Sequence, residues 1–321
     1  MKGFWNYFWL LYALFFAIPF PMIIYYNTRE EGGISAPWLA LSFLALSLVL
    51  WIIVLQGLFR QWIVSTFIMK NNILRLMKKG VRKDARVTES AEMPQTRTDV
   101  VPMKITVSLQ NFSGTEIREQ LEVNDSKPAL HRYDKGKTIQ LRIDDRLKAV
   151  PYLTLDDVTI SIRMTRMILL CLAWLAIVAV VLFYYGYSYV LENDGTGWRF
   201  LKFYHPLVLC PLILLLGRLG FGKLLDLVSG ISGDDQLSLK YYGIRTDASI
   251  LSATQTGTYI NEQPQVKFEL SYQDNTGITR TATLKKIIPL LELNTAQQKT
   301  AAIFYLKDKP GQVAFASDVE E

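Results

Sequence analysis

The chain has 321 residues, half of them apolar and a fifth charged, and its formal net charge is +6 at pH 7. With this much charge, the apolar residues must be concentrated in segments and not spread as in a soluble globular protein. The composition therefore excludes an ordinary soluble globular protein. The positive charge mainly indicates how the chain is oriented in a membrane.

Four apolar segments are close to the length that a bilayer requires, since a helix needs about 20 residues to cross a hydrocarbon core of about 30 Å. The segments are 4–26, 38–59, 167–190 and 204–221. We predict that they form four transmembrane helices in two hairpins. A signal peptide is the alternative for the first segment, but no small-residue cleavage pattern follows it. Pro19 and Pro21 either kink this segment or break it around a substrate.

A run of lysines and arginines follows the second apolar segment. Between residues 60 and 86 a single acid, Asp84, opposes eight basic residues. The turns within the two hairpins are acidic or balanced, and they contain Glu31-Gly32 and Asp194-Gly195. Because basic residues are retained on the cytosolic side of short loops, we predict that both termini and both polar regions are cytosolic.

The basic residues are also candidates for contact with anionic lipid headgroups, where each gains roughly 1 kcal/mol beside the membrane. The simplest alternative is that they only orient the hairpin. Nucleic acid is not an expected partner, because no interleaved aromatic motif accompanies the charge. The predicted membrane-surface basic patch comprises Lys70, Arg75, Lys78, Lys79, Arg82, Lys83 and Arg86.

After each predicted hairpin the apolar pattern changes from helical to alternating, which is typical of strands. Glycine and Asx residues at 111–114 and 274–277 indicate a tight reversal in each region. The polar stretch 88–98 is predicted to be a mobile loop. The first set of strands is predicted near 81–89, 100–110, 115–123, 137–144 and 149–153, and the second near 244–252, 264–273, 278–286, 300–307 and 312–316. The fold class is therefore an α+β integral membrane protein with two small five-stranded β-barrel or sandwich domains of SH3-like or OB-like type.

The two halves of the chain correspond at a constant offset of 163 positions. Gly80, Arg82, Asp84 and Ala85 coincide with the same residue types at Gly243 and the positions after it. We interpret this correspondence as a tandem duplication. The predicted domains are a transmembrane hairpin with a cytosolic helix extension at 1–79, a cytosolic β domain at 80–162, a second hairpin at 163–235 and a second β domain at 236–321. Small domains leave strand edges open, so we expect the β domains to pair with each other or with a partner.

Several residues of the two β regions also match the residue pattern of a known protein family. The matching positions are Gly80, Ala85, Tyr133, Gly136 and Asp145 in copy one and Gly243, Ala248, Asp308 and Pro310 in copy two. The chain in this respect resembles a bacterial membrane protein family known as domain of unknown function 3592, here in two tandem copies. Copy one has Arg146-Leu147 in place of the family's proline context, and copy two lacks the tyrosine and glycine. The resemblance implies a multi-pass protein of the bacterial inner membrane and implies no chemistry.

Residues suited to catalysis or metal binding are few. His131 and His205 have no carboxylate at a regular spacing, and we expect His205 to be an interfacial polar residue. Cys171 and Cys210 are predicted at opposite depths of the membrane, so neither a disulfide nor a zinc site is expected. The acidic pairs lack the ligand spacing of a calcium loop; they are Asp144-Asp145, Asp156-Asp157 and Asp234-Asp235. We predict no catalytic, metal-binding or cofactor-binding residue and no enzymatic activity.

The predicted function is that of a noncatalytic inner-membrane scaffold, adaptor or regulatory protein that binds a protein partner through its duplicated β domains. One alternative is a membrane immunity protein against a membrane-active toxin, an idea that unchanged survival of a deletion strain under toxin challenge would remove. Another is a small transporter or channel. Transport is disfavoured because the four segments contain no central charged residue, and flux measurements in liposomes would test it.

Overall fold

The computed structural model describes residues 2–28, 34–94, 101–158, 160–229, 233–260, 263–288 and 298–320. The fold is α+β, with several apolar helices and two five-stranded, barrel-like sheets. The chain divides into two compact units, each assembled from two stretches of sequence. We call them the helical unit, Met1–Ile68 with Ile160–Lys223, and the β unit, Met69–Thr159 with Leu224–Glu321. The predicted hairpin loop residues Glu31-Gly32 lie outside the described residues.

The helices are α1 Lys2–Ala17, α2 Pro19–Thr28, α3 Pro37–Phe59, α4 Ser65–Lys79, α5 Met164–Glu192, α6 Pro206–Ser229, α7 Gly233–Tyr242 and α8 Ala316–Glu320. A π-helical turn, Arg60–Val64, joins α3 to α4 without a break in the helix. The first apolar segment is divided between α1 and α2 at Ile18, because Pro19 and Pro21 lack the N–H groups that would continue the ladder.

Among the described residues, three helical stretches are long and apolar enough to cross a membrane, judged by length and composition. They are Tyr7–Thr28, Pro37–Lys79 and Met164–Glu192. The fourth predicted crossing, 204–221, lies on α6, of which the described stretch Pro206–Arg218 is apolar. The membrane character of the chain is therefore clear in composition, whereas the number of crossings stays a prediction.

The strands are β1 Val81–Glu92, β2 Val101–Gln110, β3 Glu116–Asp125, β4 Thr138–Ile143, β5 Leu153–Leu155, β6 Ile244–Ile260, β7 Gln263–Gln273, β8 Thr279–Ile287, β9 Thr300–Leu306 and β10 Lys309–Phe315. The sheet orders are β3-β2-β1-β4-β5 and β10-β9-β6-β7-β8, so that the central strand is the first of each set and neighbouring strands are antiparallel. In the second sheet the two edge strands β10 and β8 also approach each other, which gives it a barrel-like form.

Three local predictions require correction. Strand β6 continues to Ile260, eight residues beyond its predicted end near 252, because its ladder with β7 extends to the pair Ile260 and Gln263. The stretch 88–98 is not a loop at its start, because β1 continues to Glu92 and pairs with β2 as far as Met103; residues 95–98 lie outside the described residues. The last strand of the first sheet begins at Leu153 and not at residue 149, because Pro151 has no N–H to give to a ladder.

The ladders of the two sheets have the same register around the central strand. Ala85 lies opposite Leu109, and Ala248 lies opposite Tyr272, with each residue 163 positions after its counterpart. A β-bulge follows Val87 in β1 and Ile250 in β6, again at the same offset. A bulge bends a strand and changes which face its side chains occupy, so a shared bulge gives both sheets the same local curvature.

The predicted reversals after β2 and β7 are present and are held by one side-chain oxygen each. Asn111 Oδ1 accepts hydrogen bonds from the N–H groups of Ser113 and Thr115, both at 2.9 Å. Asp274 Oδ1 does the same in the second sheet, from Thr276 at 2.9 Å and Ile278 at 3.0 Å. Gly114 and Gly277 follow with φ of +79° and +80°, a conformation that glycine adopts at no steric cost.

The two sheets are packed together within the β unit. Leu239 and Tyr241 of α7 and Phe304 of β9 are buried in the same apolar cluster as Ile105 and Leu141 of the first sheet. The turn at Asn111 joins the contact, because its amide Nδ2 donates to the carbonyl oxygens of Lys240 at 3.0 Å and Gly243 at 2.8 Å. The buried Tyr241 hydroxyl donates to Glu119 at 2.7 Å. The core of the first sheet is therefore continuous with one side of the second sheet, which also has a buried cluster of its own around Phe268 and Tyr305.

Candidate functional site

The predicted basic patch is divided between a helix and a strand of the β unit. Lys70, Arg75, Lys78 and Lys79 lie on α4, and Arg82, Lys83 and Arg86 lie on β1. Arg75, Lys78 and Lys79 are exposed, as are Arg82 and Arg86, whereas Lys70 and Lys83 are half-buried. All seven therefore lie in one compact unit, on two consecutive elements.

Only part of this charge is available to a ligand. Arg82 pairs with Asp156 at 3.3 Å, and Arg142 on the neighbouring strand β4 also donates to that carboxylate. The Arg142 hydrogen bond, with both positive charges nearby, holds the pKa of Asp156 below its usual range. Lys83 donates to the carbonyl oxygen of Asn111 at 3.1 Å and lies over the ring of Phe112. These two cations therefore have structural contacts.

Two residues of the patch, Arg75 and Lys79, line a polar groove of about 440 Å³ between the end of α4 and the loop that joins β4 to β5. Four cations line it: Arg75 and Lys79 from the helix, and Arg146 and Lys148 from the loop. Arg146 and Lys148 were missed in the sequence, because they lie some 70 positions after α4 and no local pattern links them to it. The structure thus replaces a linear patch by a groove with basic residues on both sides.

Two carboxylates also line the groove, but one of them is committed to the loop itself. Asp144 accepts hydrogen bonds from the backbone N–H groups of Arg146, Lys148 and Ala149 and lies 3.8 Å from Arg75. It therefore shapes the loop that carries the two cations. The groove thus has four cations and two carboxylates in its lining, an excess of positive charge.

A second exposed feature is the outer half of β6. This strand pairs with β9 only from Ile244 to Ser249, although its ladder with β7 continues to Ile260. The last contact on the β9 side is from the N–H of Ile250 to the carbonyl oxygen of Lys299 at 2.9 Å. Beyond it, the described part of the chain offers no backbone partner on that side. Leu251 and Tyr259 are 60% and 59% exposed there.

The structure brings one histidine into a buried polar cluster of the helical unit. His205, expected to be an interfacial residue, is fully buried, and its Nε2 lies 3.3 Å from Oε1 of Glu192. Its Nδ1 accepts a hydrogen bond from the N–H of Leu207 at 3.1 Å, which assigns the proton of a neutral ring to Nε2. Tyr25 donates to Oε2 of the same glutamate at 2.7 Å. The partners come from three helix ends, so spacing in the sequence gave no signal.

The other residues weighed for chemistry have structural contacts. His131 lies 3.1 Å from Asp134, three positions on, in an exposed turn, so a carboxylate does stand at a regular spacing from it. Cys171 and Cys210 are free thiols. Asp157 pairs with Arg132 at 3.1 Å. Across the described residues, no group of three or more His, Cys, Asp or Glu side chains is placed to hold a metal ion; the side chain of Asp234 is outside the described set.

Comparison with known proteins adds little. No family model and no curated protein matches the chain, so the resemblance to the domain of unknown function stays a prediction. Among solved structures, a chain of a replication protein A heterotrimer bound to ssDNA is similar at 11% identity, over 70% of this chain and 44% of that one. Its TM-score is 0.15, which carries no argument about fold or ligand.

Proposed function

We propose that this protein is a noncatalytic membrane scaffold or adaptor, in which the β unit binds a protein partner. The observation that carries the proposal is the outer half of β6, which has no backbone partner on the β9 side among the described residues. A strand with unpaired N–H and C=O groups is a template on which an extended segment of another chain adds a strand. The packing of the two sheets against each other supports the proposal, because a rigid platform loses little conformational freedom on binding.

The finer architecture belongs to the same proposal. Four crossings in two hairpins would hold the β unit on the cytosolic side of a bacterial inner membrane, with both termini cytosolic. The shared strand order, register and bulge support descent of the two halves from one duplicated unit, of SH3-like or OB-like type and related to the domain of unknown function 3592. The basic groove gives the β unit a second contact, with anionic headgroups of the bilayer.

A matched pair of variants tests strand addition. Leu251→Lys places a charge at the outer half of β6, where it disfavours strand pairing, whereas Leu130→Lys makes the same change at an equally exposed site, 61% against 60%, in the 3-10 helical turn between β3 and β4. The full chain is purified from its membrane in a mild detergent, and copurifying proteins are quantified by mass spectrometry. We expect a partner that is retained by the wild type and by Leu130→Lys and reduced about tenfold by Leu251→Lys.

Hydrogen exchange then locates the contact on the complex. Backbone amides of residues 251–260 should exchange more slowly when the partner is bound, because a strand addition protects the amides of the edge. A partner recovered equally with all three proteins, or protection that appears only away from this edge, would contradict the proposal. Failure to recover any reproducible partner would also contradict the proposal.

A further inference from the structure

The helical unit contains an apolar cleft of about 760 Å³. Its walls come from α1, α2, α3, α5 and α6 and consist almost entirely of aliphatic and aromatic side chains, such as Trp51, Val54, Ile177 and Leu214. The volume falls within the range of about 300–1,000 Å³ that is typical of sites for small ligands. The size and lining are therefore suited to an apolar chain.

One end of the cleft is polar. Among the described residues that line the cleft, Arg218 of α6 is the single charged one, and Gln61 lies in the lining as well. No carboxylate lies within ion-pair distance of Arg218 in the described part of the chain. Its guanidinium packs directly over Gly57 of α3, where even a methyl group would collide with it. Because Gly57 has no side chain, the Arg218 guanidinium has room at this end of the cleft.

Two irregular segments of the helices form parts of the same wall. The break between α1 and α2 places Leu14, Ile18 and Met22 along the cleft, and the Cys210 thiol lies 3.8 Å from the carbonyl oxygen of Ile18. The π-helical turn between α3 and α4 places Gln61 and Trp62 at the end that carries Arg218. Breaks and π-turns in apolar helices are typical of ligand sites. The prolines of the first segment thus border a cavity.

We propose that the cleft binds one anionic phospholipid. An acyl chain of this lipid lies against the apolar walls, and its phosphate lies at Arg218. An arginine offers two parallel N–H donors to a phosphate, and a charged side chain in an apolar helix otherwise has a large desolvation cost. Arg218 lies twelve residues after Pro206, about 18 Å along α6, so the walls between them match the chain of a lipid and not a compact polar molecule. This site is separate from the protein-binding edge and does not require the proposed scaffold function.

The test uses the purified, delipidated full chain in detergent, titrated with a phosphatidylglycerol or with the phosphatidylcholine of identical chains. Native mass spectrometry counts the lipids retained. For the wild type we expect a single saturable site that prefers phosphatidylglycerol by about tenfold. Arg218→Gln should remove the preference. Ala176→Trp, which fills the wall of the cleft on α5, should remove the site. Leu182→Trp is the control, since Leu182 is 64% exposed on the same helix and outside the lining.

Several results would overturn the proposal. They are equal binding of the two lipids by the wild type, a preference that persists in Arg218→Gln, or loss of the site in the Leu182→Trp control. If Ala176→Trp displaces a copurifying apolar polypeptide and leaves lipid binding intact, the cleft is a docking site for a partner helix and the lipid assignment is wrong. Partner recovery through β6 should be unchanged in these variants, which separates this test from that of the scaffold function.

Discussion

Asp274 holds the turn between β7 and β8 through more contacts than any other carboxylate of its sheet. Besides the two backbone N–H groups, it accepts hydrogen bonds from the Thr276 hydroxyl at 2.5 Å and from Arg280 Nε at 3.0 Å. The Thr276 hydrogen bond is the largest cause that lowers the pKa of Asp274, and it outweighs the opposing effect of burial. Its counterpart Asn111 holds the same turn in the first sheet, so an uncharged amide can also accept the two backbone hydrogen bonds.

The lowered pKa predicts a pH dependence of stability for Asp274→Asn. A carboxyl with a pKa below its unfolded value of about 3.9 stabilises the fold above that pH, and this contribution is lost as pH falls through the folded pKa. We therefore expect the melting temperature of Asp274→Asn to lie below that of the wild type at pH 7. The difference should shrink as the pH is lowered below about 4.

The control for this prediction is Asp308→Asn. Asp308 is exposed in the same sheet and has no side-chain hydrogen bond or ion pair in the described structure. Its substitution removes the same charge, so it should leave the pH dependence of melting like that of the wild type. A constant difference between Asp274→Asn and the wild type from pH 7 to pH 3 would show that the carboxylate is not stabilised by the folded state.

At the scale of elements, each sheet begins directly after a helix, with one glycine at the junction. Gly80 N–H donates to the carbonyl oxygen of Leu76 at 2.7 Å, and Gly243 N–H donates to that of Leu239 at 2.8 Å. A Cβ at Gly243 would collide with the same carbonyl oxygen and approach the ring of Phe304 to 3.1 Å. The chain thus turns from α7 into β6 in a space that only glycine fits.

Gly243→Ala should therefore loosen the junction of helix and sheet. Forcing an extra methyl group against the backbone costs about 1–3 kcal/mol, because the helix end must shift. Gly311→Ala is the matched control in β10, where no atom lies within 4 Å of an added Cβ. Thermal unfolding of the detergent-solubilised chain should show a lower midpoint for Gly243→Ala alone. Equal midpoints for the two variants would mean that α7 does not end where the structure has it.

At the scale of the whole molecule, the basic groove predicts an effect of lipid charge on the β unit. Replacing Lys79 and Lys148 by glutamate reverses one cation on each side of the groove. In nanodiscs that contain anionic lipid, we expect the amides of the loop 144–151 to exchange several-fold more slowly in the wild type than in this double variant. High salt should abolish the difference, because it screens exposed charges.

The matched control reverses two exposed lysines of the β unit that lie outside the groove, Lys104 and Lys285. It has the same net charge as the groove variant, so only position differs between them. In nanodiscs of zwitterionic lipid alone, all three proteins should exchange alike at this loop. Slow exchange that is independent of lipid charge would rule out an anionic-headgroup site in the groove.

The sequence by itself determined the local structure. Alternating apolar residues and turn-forming Asx and glycine residues placed most strands within a few residues of their observed ends, since strand period and turn chemistry act over short distances. The long apolar segments likewise indicated the apolar helices. The errors, in the stretch 88–98, at the end of β6 and at β5, arose where pairing with a neighbouring strand or a proline decided the boundary.

Only the tertiary structure decided which distant residues meet. Glu192 contacts Tyr25 and His205, α4 faces the loop 144–151, and Arg218 lies over Gly57. Each contact joins segments whose separation along the chain has no relation to helix or strand period. Their meeting depends on how helices and sheets pack, and packing is a property of the folded chain as a whole. For this reason the sequence indicates the basic residues of α4 but not the loop cations Arg146 and Lys148 opposite them, and the buried polar cluster and the apolar cleft have no signature in it.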